Sequence, residues 1–353
     1  MSEFLATAPL RPAGPGESRQ ENMQMKMRTV RRAAGLAVLG GAAVAAGAAV
    51  EACAYRLQRR SVTLLREEPA GDDLRPLRVI HLTDIHLLAC QARKIDFIRS
   101  LAQEDPDFIA LTGDNLSSAH ALEALLYALE PFAGLPGAFV FGSNDYFSPR
   151  PKLNPFLYLV KSRYQGTGEA SSHAPDRARD LPYAEMAAAF ADRGWADLNN
   201  RRARMRAAEW DLDLVGVDDP HLFYDAFPPG DDAEDEPRLR IGLAHAPYQR
   251  TLNAMKDDGR DLVLTGHTHG GQLALPVIGS LTTNCDLPNR LDSGLFAWPD
   301  TGDEPLRGEG GVVALPGEMY VDLPTGLGTS PWVPVRALRP PEAVLLEVRV
   351  VAR

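Results

Sequence analysis

The chain has 353 residues, 45% of them apolar, enough to bury a sizeable core as one large domain or two. It carries 37 Lys/Arg against 47 Asp/Glu, but unevenly: residues 1–60 hold nine and four, residues 61–353 hold 28 and 43. The acidic body argues against nucleic acid as a partner, and an anionic substrate bound there would need a cation to offset repulsion.

Residues 1–30 are polar with scattered Pro and Gly and read as a disordered tail. Residues 31–60 read as a membrane anchor or signal segment with basic flanks. Ala33–Val50 is an uncharged run of mostly Ala and Gly, close to the length that spans a bilayer. Arg28, Arg31 and Arg32 precede it, and Arg56, Arg59 and Arg60 follow. Three readings stand: an uncleaved single-pass anchor, which is preferred, a cleaved export signal, or a soluble Ala-rich helix. The flanking charges are nearly balanced, so the side of the membrane stays open.

From Leu77 short apolar runs alternate with helical patterns. LRVIHLTD (77–84), DFIALTGD (107–114) and GAFVFGSND (137–145) read as strands, and residues 92–103 and 119–129 as the helices between them. Residues 183–194 form a further helix, and 212–219, 240–247 and 261–269 further strands. The alternation implies an α/β fold with a largely parallel sheet. Residues 310–323 and 342–351 read as strands of a second sheet, and 166–180 and 228–237 as surface loops. Cys53, Cys90 and Cys285 make no disulfide framework and no CxxC pair, and read as small buried apolar residues.

Polar residues recur where the strands end: Asp84, His86, Asp114, Asn144, Asp145, His245, His267 and His269. Functional groups gather at the carboxyl edge of open α/β sheets. Asp, His and Asn together suit a divalent metal such as Mn, Fe, Zn or Mg. In Asp-x-His and His-x-His, side chains two apart share a face and can converge on one ion. Elsewhere, His81 reads as structural, His120 and His173 as surface residues, and Asp218-Asp219-Pro220-His221 as a loop or cap with a supporting role at the site as the alternative.

With DIH at 84–86, GD at 113–114, GSND at 142–145, AHAP at 244–247 and GHTH at 266–269, the chain resembles the calcineurin-like metallophosphoesterases. The resemblance covers roughly residues 75–350, and the domain is taken as 75–353. GHTHGGQ and the tail GLGTSPWVPVRALRPPEAVLLEV are similar to a membrane-associated bacterial branch that includes phosphodiesterases and lipid-precursor pyrophosphatases. The resemblance implies a four-layer α/β/β/α sandwich holding two divalent ions. Asp84, His86 and His269 would hold the first, Asp114 would bridge, and His245 and His267 would hold the second with an Asn from the third motif. It implies hydrolysis of a phosphodiester or pyrophosphate, with a lipid-linked substrate as one option. Asp84, His86, Asp114, Asn144 and His245 are then the catalytic candidates.

One motif departs from the family's G-N-H-D. Here Ser143 takes the position of the ligand Asn and Asn144 that of the His. Either Asn144 shifts onto the metal, or Ser143 or water fills the gap. Losing a general acid costs on the order of 10²–10⁴ in rate. A slow enzyme, or one that prefers good leaving groups, is expected. The rival is a metal-binding or ligand-binding protein that keeps the fold without turnover.

Overall fold

The computed structural model describes residues 23, 25–27, 31, 41, 42, 44–67, 74–151, 176–230, 239–275, 279, 280, 283–302, 306–308 and 311–352. The chain divides into residues 1–47 and residues 48–353. The described residues of the first unit are helical. Most of the expected tail and half of the apolar run lie outside the described residues. Among those described, no helix is long and apolar enough to cross a membrane.

The second unit runs in chain order β1 (Arg56–Arg66), β2 (Leu77–Leu82), α1 (Ala92–Ser100), β3 (Phe108–Leu111), α2 (Leu122–Ala128), β4 (Gly137–Phe139), α3 (Ser143–Tyr146), α4 (Tyr183–Ala191), β5 (Ala196–Asp197), β6 (Arg201–Ala207) and β7 (Trp210–Gly216). It continues with β8 (Leu239–Leu243), α5 (Gln249–Asp257), β9 (Leu262–Leu264), β10 (Ala274–Leu275), β11 (Gly279–Ser280), β12 (Gly294–Trp298), β13 (Arg307–Gly308), β14 (Gly311–Ala314), β15 (Met319–Leu323) and β16 (Glu342–Ala352). One sheet has the order β13-β14-β1-β16-β2-β3-β4-β5, and a second the order β12-β15-β9-β8-β7-β6.

Strand periodicity builds the layers. Successive side chains point to opposite faces, so a strand buried on both sides is apolar throughout. Val79, Phe108 and Ala110 face Leu214, Ile241 and Leu264 of the other sheet in one shared core. Their neighbours Ile80, Ile109 and Leu111 turn outward, onto Ile98 of α1, Leu125 of α2 and Phe190 of α4. On the far side Val215, Val263 and Val321 pack with Leu252 and Met255 of α5. The layers are therefore helix, sheet, sheet, helix: the expected α/β/β/α sandwich.

Three elements differ from the sequence reading. The first sheet begins at Arg56, inside the segment assigned to the anchor and ahead of the boundary drawn at 75. β1 lies parallel to β16 over its whole length and to β14. Its arginines concealed a strand whose Val62 and Leu64 reach the inter-sheet core. Second, residues 310–323 are two strands in different sheets, broken by the turn at Pro316-Gly317. Third, β16 lies inside the first sheet, antiparallel to β2, and the second sheet is built from β6 to β9, β12 and β15. Cys53 and Cys90 are exposed and only Cys285 is buried, so the expectation of three buried cysteines holds for one.

A buried ionic knot ties the sheets. Asp322 of β15 is fully buried and accepts from Arg60 of β1 at 2.5 Å and from His81 of β2 at 2.7 Å. Arg60 also donates to Glu342 of β16 at 2.6 Å, and His81 reaches Thr112 at 2.9 Å. The attraction of Arg60 and the hydrogen bond from His81 hold Asp322 below the usual carboxylate range despite its burial. Arg60→Ala would leave two buried carboxylates without their cation. It is expected to lower unfolding stability by about 3–5 kcal/mol, read as a shifted urea midpoint. An unchanged midpoint would contradict the structural weight given to this knot.

Candidate metal centre

The strand ends of both sheets meet at one place. Asp84 and His86 follow β2, Asp114 follows β3, and Asn144 lies in α3 just beyond β4. His245 follows β8, and His267 and His269 follow β9. Asp84, His86 and His269 bring one ligand atom each within 4.8 Å of one another, and so do Asp84, Asp114 and His245. The two groups share Asp84. Asp114 spans them: its Oδ2 lies 3.4 Å from His86 Nε2 and its Oδ1 lies 3.5 Å from His245 Nε2. His267 joins on the second side, its Nδ1 3.3 Å from His245 Nε2.

The backbone is bent to achieve this. Asp84, His86, Asp114, His267 and His269 all have positive φ, between 44° and 75°. Such residues are uncommon outside glycine, and the strain collects where function requires it. Gly113 has φ +91°, and a Cβ there would stand 2.9 Å from His245 Nδ1. A Cβ on Gly142 would collide with Asp114 Oδ1 and come within 2.6 Å of the His245 ring.

Neighbouring groups aim the ligands. His245 donates from Nδ1 to the Thr112 carbonyl at 2.7 Å, which turns Nε2 toward the site. The Nε2 of His267 lies 3.1 Å from the Asn284 carbonyl and 3.0 Å from the Asn284 side-chain amide nitrogen, and Nδ1 faces His245. Asp84 Oδ2 accepts from Thr83 Oγ1 and the His267 amide, each at 2.9 Å. Asp145 links two motifs: it accepts from the amides of Asp114, Asn115 and Gly142, each at 2.8 Å.

Electrostatics favours a cation. Burial and the neighbouring Asp114 push Asp84 up to about 6. Burial takes His86 down to about 4, and it also carries His267 and His269 well below the imidazole range, so these rings are neutral donors. Burial opposes charge on Asp114 and His245 too, yet their mutual attraction wins, with Asp114 held low and His245 held high. Asp84 Oδ1 is buried with no hydrogen-bond partner among the described residues, and His86 Nε2 and His269 Nε2 face each other at 3.3 Å. A buried oxygen left unmatched is costly, and nitrogen pairs at that distance share a proton or converge on a cation. The donor set of carboxylate and imidazole fits divalent metal.

Asn144 reaches the site through Asp114. Its side-chain amide donates to Oδ2 at 2.8 Å and its backbone amide to Oδ1 at 2.7 Å. Ser143 is half-buried on the same turn. Several groups were not singled out from sequence. Fully buried Arg336 lies 3.4 Å from His269 Nδ1 and donates to the carbonyls of Thr325, Gly326 and Gly328. Lys94 is buried behind His86 and donates to the Ile85 carbonyl at 2.7 Å. Burial and Arg336 take Lys94 down to about 7. Asp219 caps the turn at 220–222, as expected, and the His221 ring centre lies 4.4 Å from that of His267. His81 is structural, as expected.

A family model described as calcineurin-like phosphoesterase matches residues 77–271, more than half of the chain. Among curated proteins, the uncharacterized protein YpbG of Bacillus subtilis is 27% identical over 209 residues, a match spanning 58% of this chain but only 65% of YpbG. The phosphodiesterase YaeI of Escherichia coli is 26% identical over 249 residues, or 69% of this chain and 79% of that one. The UDP-2,3-diacylglucosamine pyrophosphatase LpxG of Chlamydia muridarum is 24% identical over 305 residues, or 77% of this chain and 84% of that one.

Gly142→Ala tests how closely the site is built. Overpacking against Asp114 and His245 is expected to cost about 1–3 kcal/mol and to remove the rise in Tm that Mn gives the wild-type protein. A variant still stabilised by Mn to the wild-type extent would contradict the close approach described here.

Proposed function

The chain belongs to the calcineurin-like phosphoesterases, metal-dependent phosphoric ester hydrolases, and we propose that it cleaves a phosphodiester or pyrophosphate bond in a lipid-linked substrate. One observation carries the reading: Asp84, His86, Asp114, His245, His267 and His269, drawn from two sheets, converge on a single buried site. Bound there, two divalent ions, Mn, Fe, Zn or Mg, would supply an activated water and offset the charge of the phosphate. Asp84, His86 and His269 would hold one and His245 and His267 the other, with Asp114 between them. The neutral imidazoles of His86, His267 and His269 keep their lone pairs for this purpose, and Asp145 keeps the Asp114 and Gly142 backbones in register. Asn144 orients Asp114 through two hydrogen bonds.

We place the chain at a membrane as a single-pass protein anchored through residues 33–50, with the side unassigned. The length and lack of charge of that run support the reading. The similarity to LpxG, a pyrophosphatase of a diacylated sugar nucleotide by its name, supports the lipid-linked substrate.

Asn144 also sustains the second reading, a metal-binding protein without turnover. An amide has no proton to give a leaving group, and it stands where the family has a His. A catalyst without that acid favours leaving groups that depart as stable anions. Bis(p-nitrophenyl) phosphate is therefore expected to be hydrolysed by the Mn-loaded full chain and not by the chelated one. Asp114→Ala should lower the rate by roughly 10³-fold or more, the several kcal/mol that metal-held charge supplies. A matched alkyl phosphate should turn over at least ~10²-fold more slowly than the nitrophenyl ester. Equal rates on both would contradict the account of Asn144. Two bound ions with no hydrolysis of either ester would favour the second reading.

A further inference from the structure

Six large apolar side chains of the second unit stand exposed on one connected stretch of surface: Val50 (72%), Leu273 (41%), Leu275 (45%), Trp332 (56%), Val333 (43%) and Leu338 (54%). Exposed apolar residues are ordinary when scattered, but a contiguous set marks a contact surface. Hydrogen bonds join the segments that carry these. Ala274 N donates to the Ala337 carbonyl and Ala337 N to the Gln272 carbonyl. The Gln272 side chain donates to the carbonyls of Val333 and Val335. Trp332 Nε1 donates to the Pro149 carbonyl at 2.9 Å, which ties in the loop that follows the third motif.

The same surface receives the chain as it leaves the apolar run. Arg336 N donates to the Ala48 carbonyl at 3.0 Å, Arg339 N to Glu51 Oε1 at 2.8 Å, and Arg56 N to the Pro341 carbonyl at 2.9 Å. It also adjoins the metal centre: Gly270 and Gln272 immediately follow His269, and Arg339 Nε donates to the Gly270 carbonyl at 2.9 Å. Arg56 and Arg150 lie exposed at its edge, cations on an otherwise acidic body.

We propose that this face rests on the phospholipid bilayer, with Trp332, Leu273, Leu275 and Leu338 at the headgroup boundary and the His269 side of the metal centre turned to it. The inference rests on the reading of residues 33–50 as a membrane anchor, and it goes beyond that reading by fixing which face of the domain meets lipid. The apolar run identifies the occupant. Any membrane segment formed by residues 33–50 ends within three residues of Glu51, which is bonded to this face, so the bilayer surface and the face are held together. The chemistry agrees. Tryptophan favours the boundary between water and acyl chains, aliphatic side chains insert just below it, and flanking arginines meet anionic headgroups. A site so placed would take its phosphate ester at the membrane surface without drawing the lipid chains into water.

The chain itself carries the probe. Of its four tryptophans, Trp195, Trp210 and Trp298 are buried and Trp332 is exposed. The full chain would be reconstituted into phosphatidylethanolamine and phosphatidylglycerol vesicles, with and without brominated acyl chains. Flotation reads the anchor, and quenching of tryptophan emission reads the face. We expect the protein to float and Trp332 to be blue-shifted and quenched. The quenching should be lost in Trp332→Phe and reduced in the Leu273→Ser, Leu338→Ser double variant, which should still hydrolyse soluble bis(p-nitrophenyl) phosphate at the wild-type rate. A chain that floats with Trp332 unquenched overturns the inference and leaves the anchor standing. Unquenched emission together with a dimer in detergent would assign the face to a second copy. A chain that does not float removes the anchor reading, and this inference with it.

Discussion

Asp322 is a fully buried carboxylate at the seam between the two sheets, and the site depends on what surrounds it. Its charge is matched by Arg60 from the first strand and by a hydrogen bond from His81, which in turn holds Thr112. The Thr112 carbonyl is the acceptor that orients the His245 ring. Thr112 therefore joins the two, its hydroxyl on the sheet-to-sheet contact and its carbonyl on the ring whose Nε2 faces the site. Breaking one partner of a buried pair is strongly destabilising because the other charge remains. Here the damage would also spread into the geometry of the site.

The same logic explains why the centre is assembled from two sheets. Asp84, His86 and Asp114 come from one, and His245, His267 and His269 from the other. No single strand end could gather so many donors, because side chains two apart on one strand supply only a pair. Bringing two edges together requires glycines where the backbones nearly touch and left-handed residues that bend the chain just past the strands. Asp145 and Asp84 stitch those turns to one another through backbone amides. The rigidity matters because a metal centre loses affinity quickly when its donors are loosely held.

Much of this was legible in the sequence because the signals were local. Apolar runs of strand length ended in Asp or His, and the order of DIH, GD, GSND, AHAP and GHTH carried the resemblance. Groups acting through space were not legible. Arg336 lies more than sixty residues from His269, and nothing in its neighbourhood marks it as fully buried against three carbonyls. Lys94 looked like an ordinary polar position of an amphipathic helix. β1 was concealed because Arg56, Arg59 and Arg60 continued the basic flank of an apolar run, so composition outweighed the alternation that puts Val62 and Leu64 in the core. The split of residues 310–323 between two sheets was announced only by Pro316-Gly317, since both halves read equally as strand.

The most direct test of a two-metal centre is the electron paramagnetic resonance spectrum of the full chain loaded with Mn(II), recorded against metal content. Two ions held on either side of Asp114 would be close enough to be exchange-coupled. The account predicts two manganese ions per chain with a coupled spectrum, which Asp114→Asn converts to the signal of isolated ions. One ion per chain, or two with an uncoupled spectrum in the wild-type protein, would contradict it.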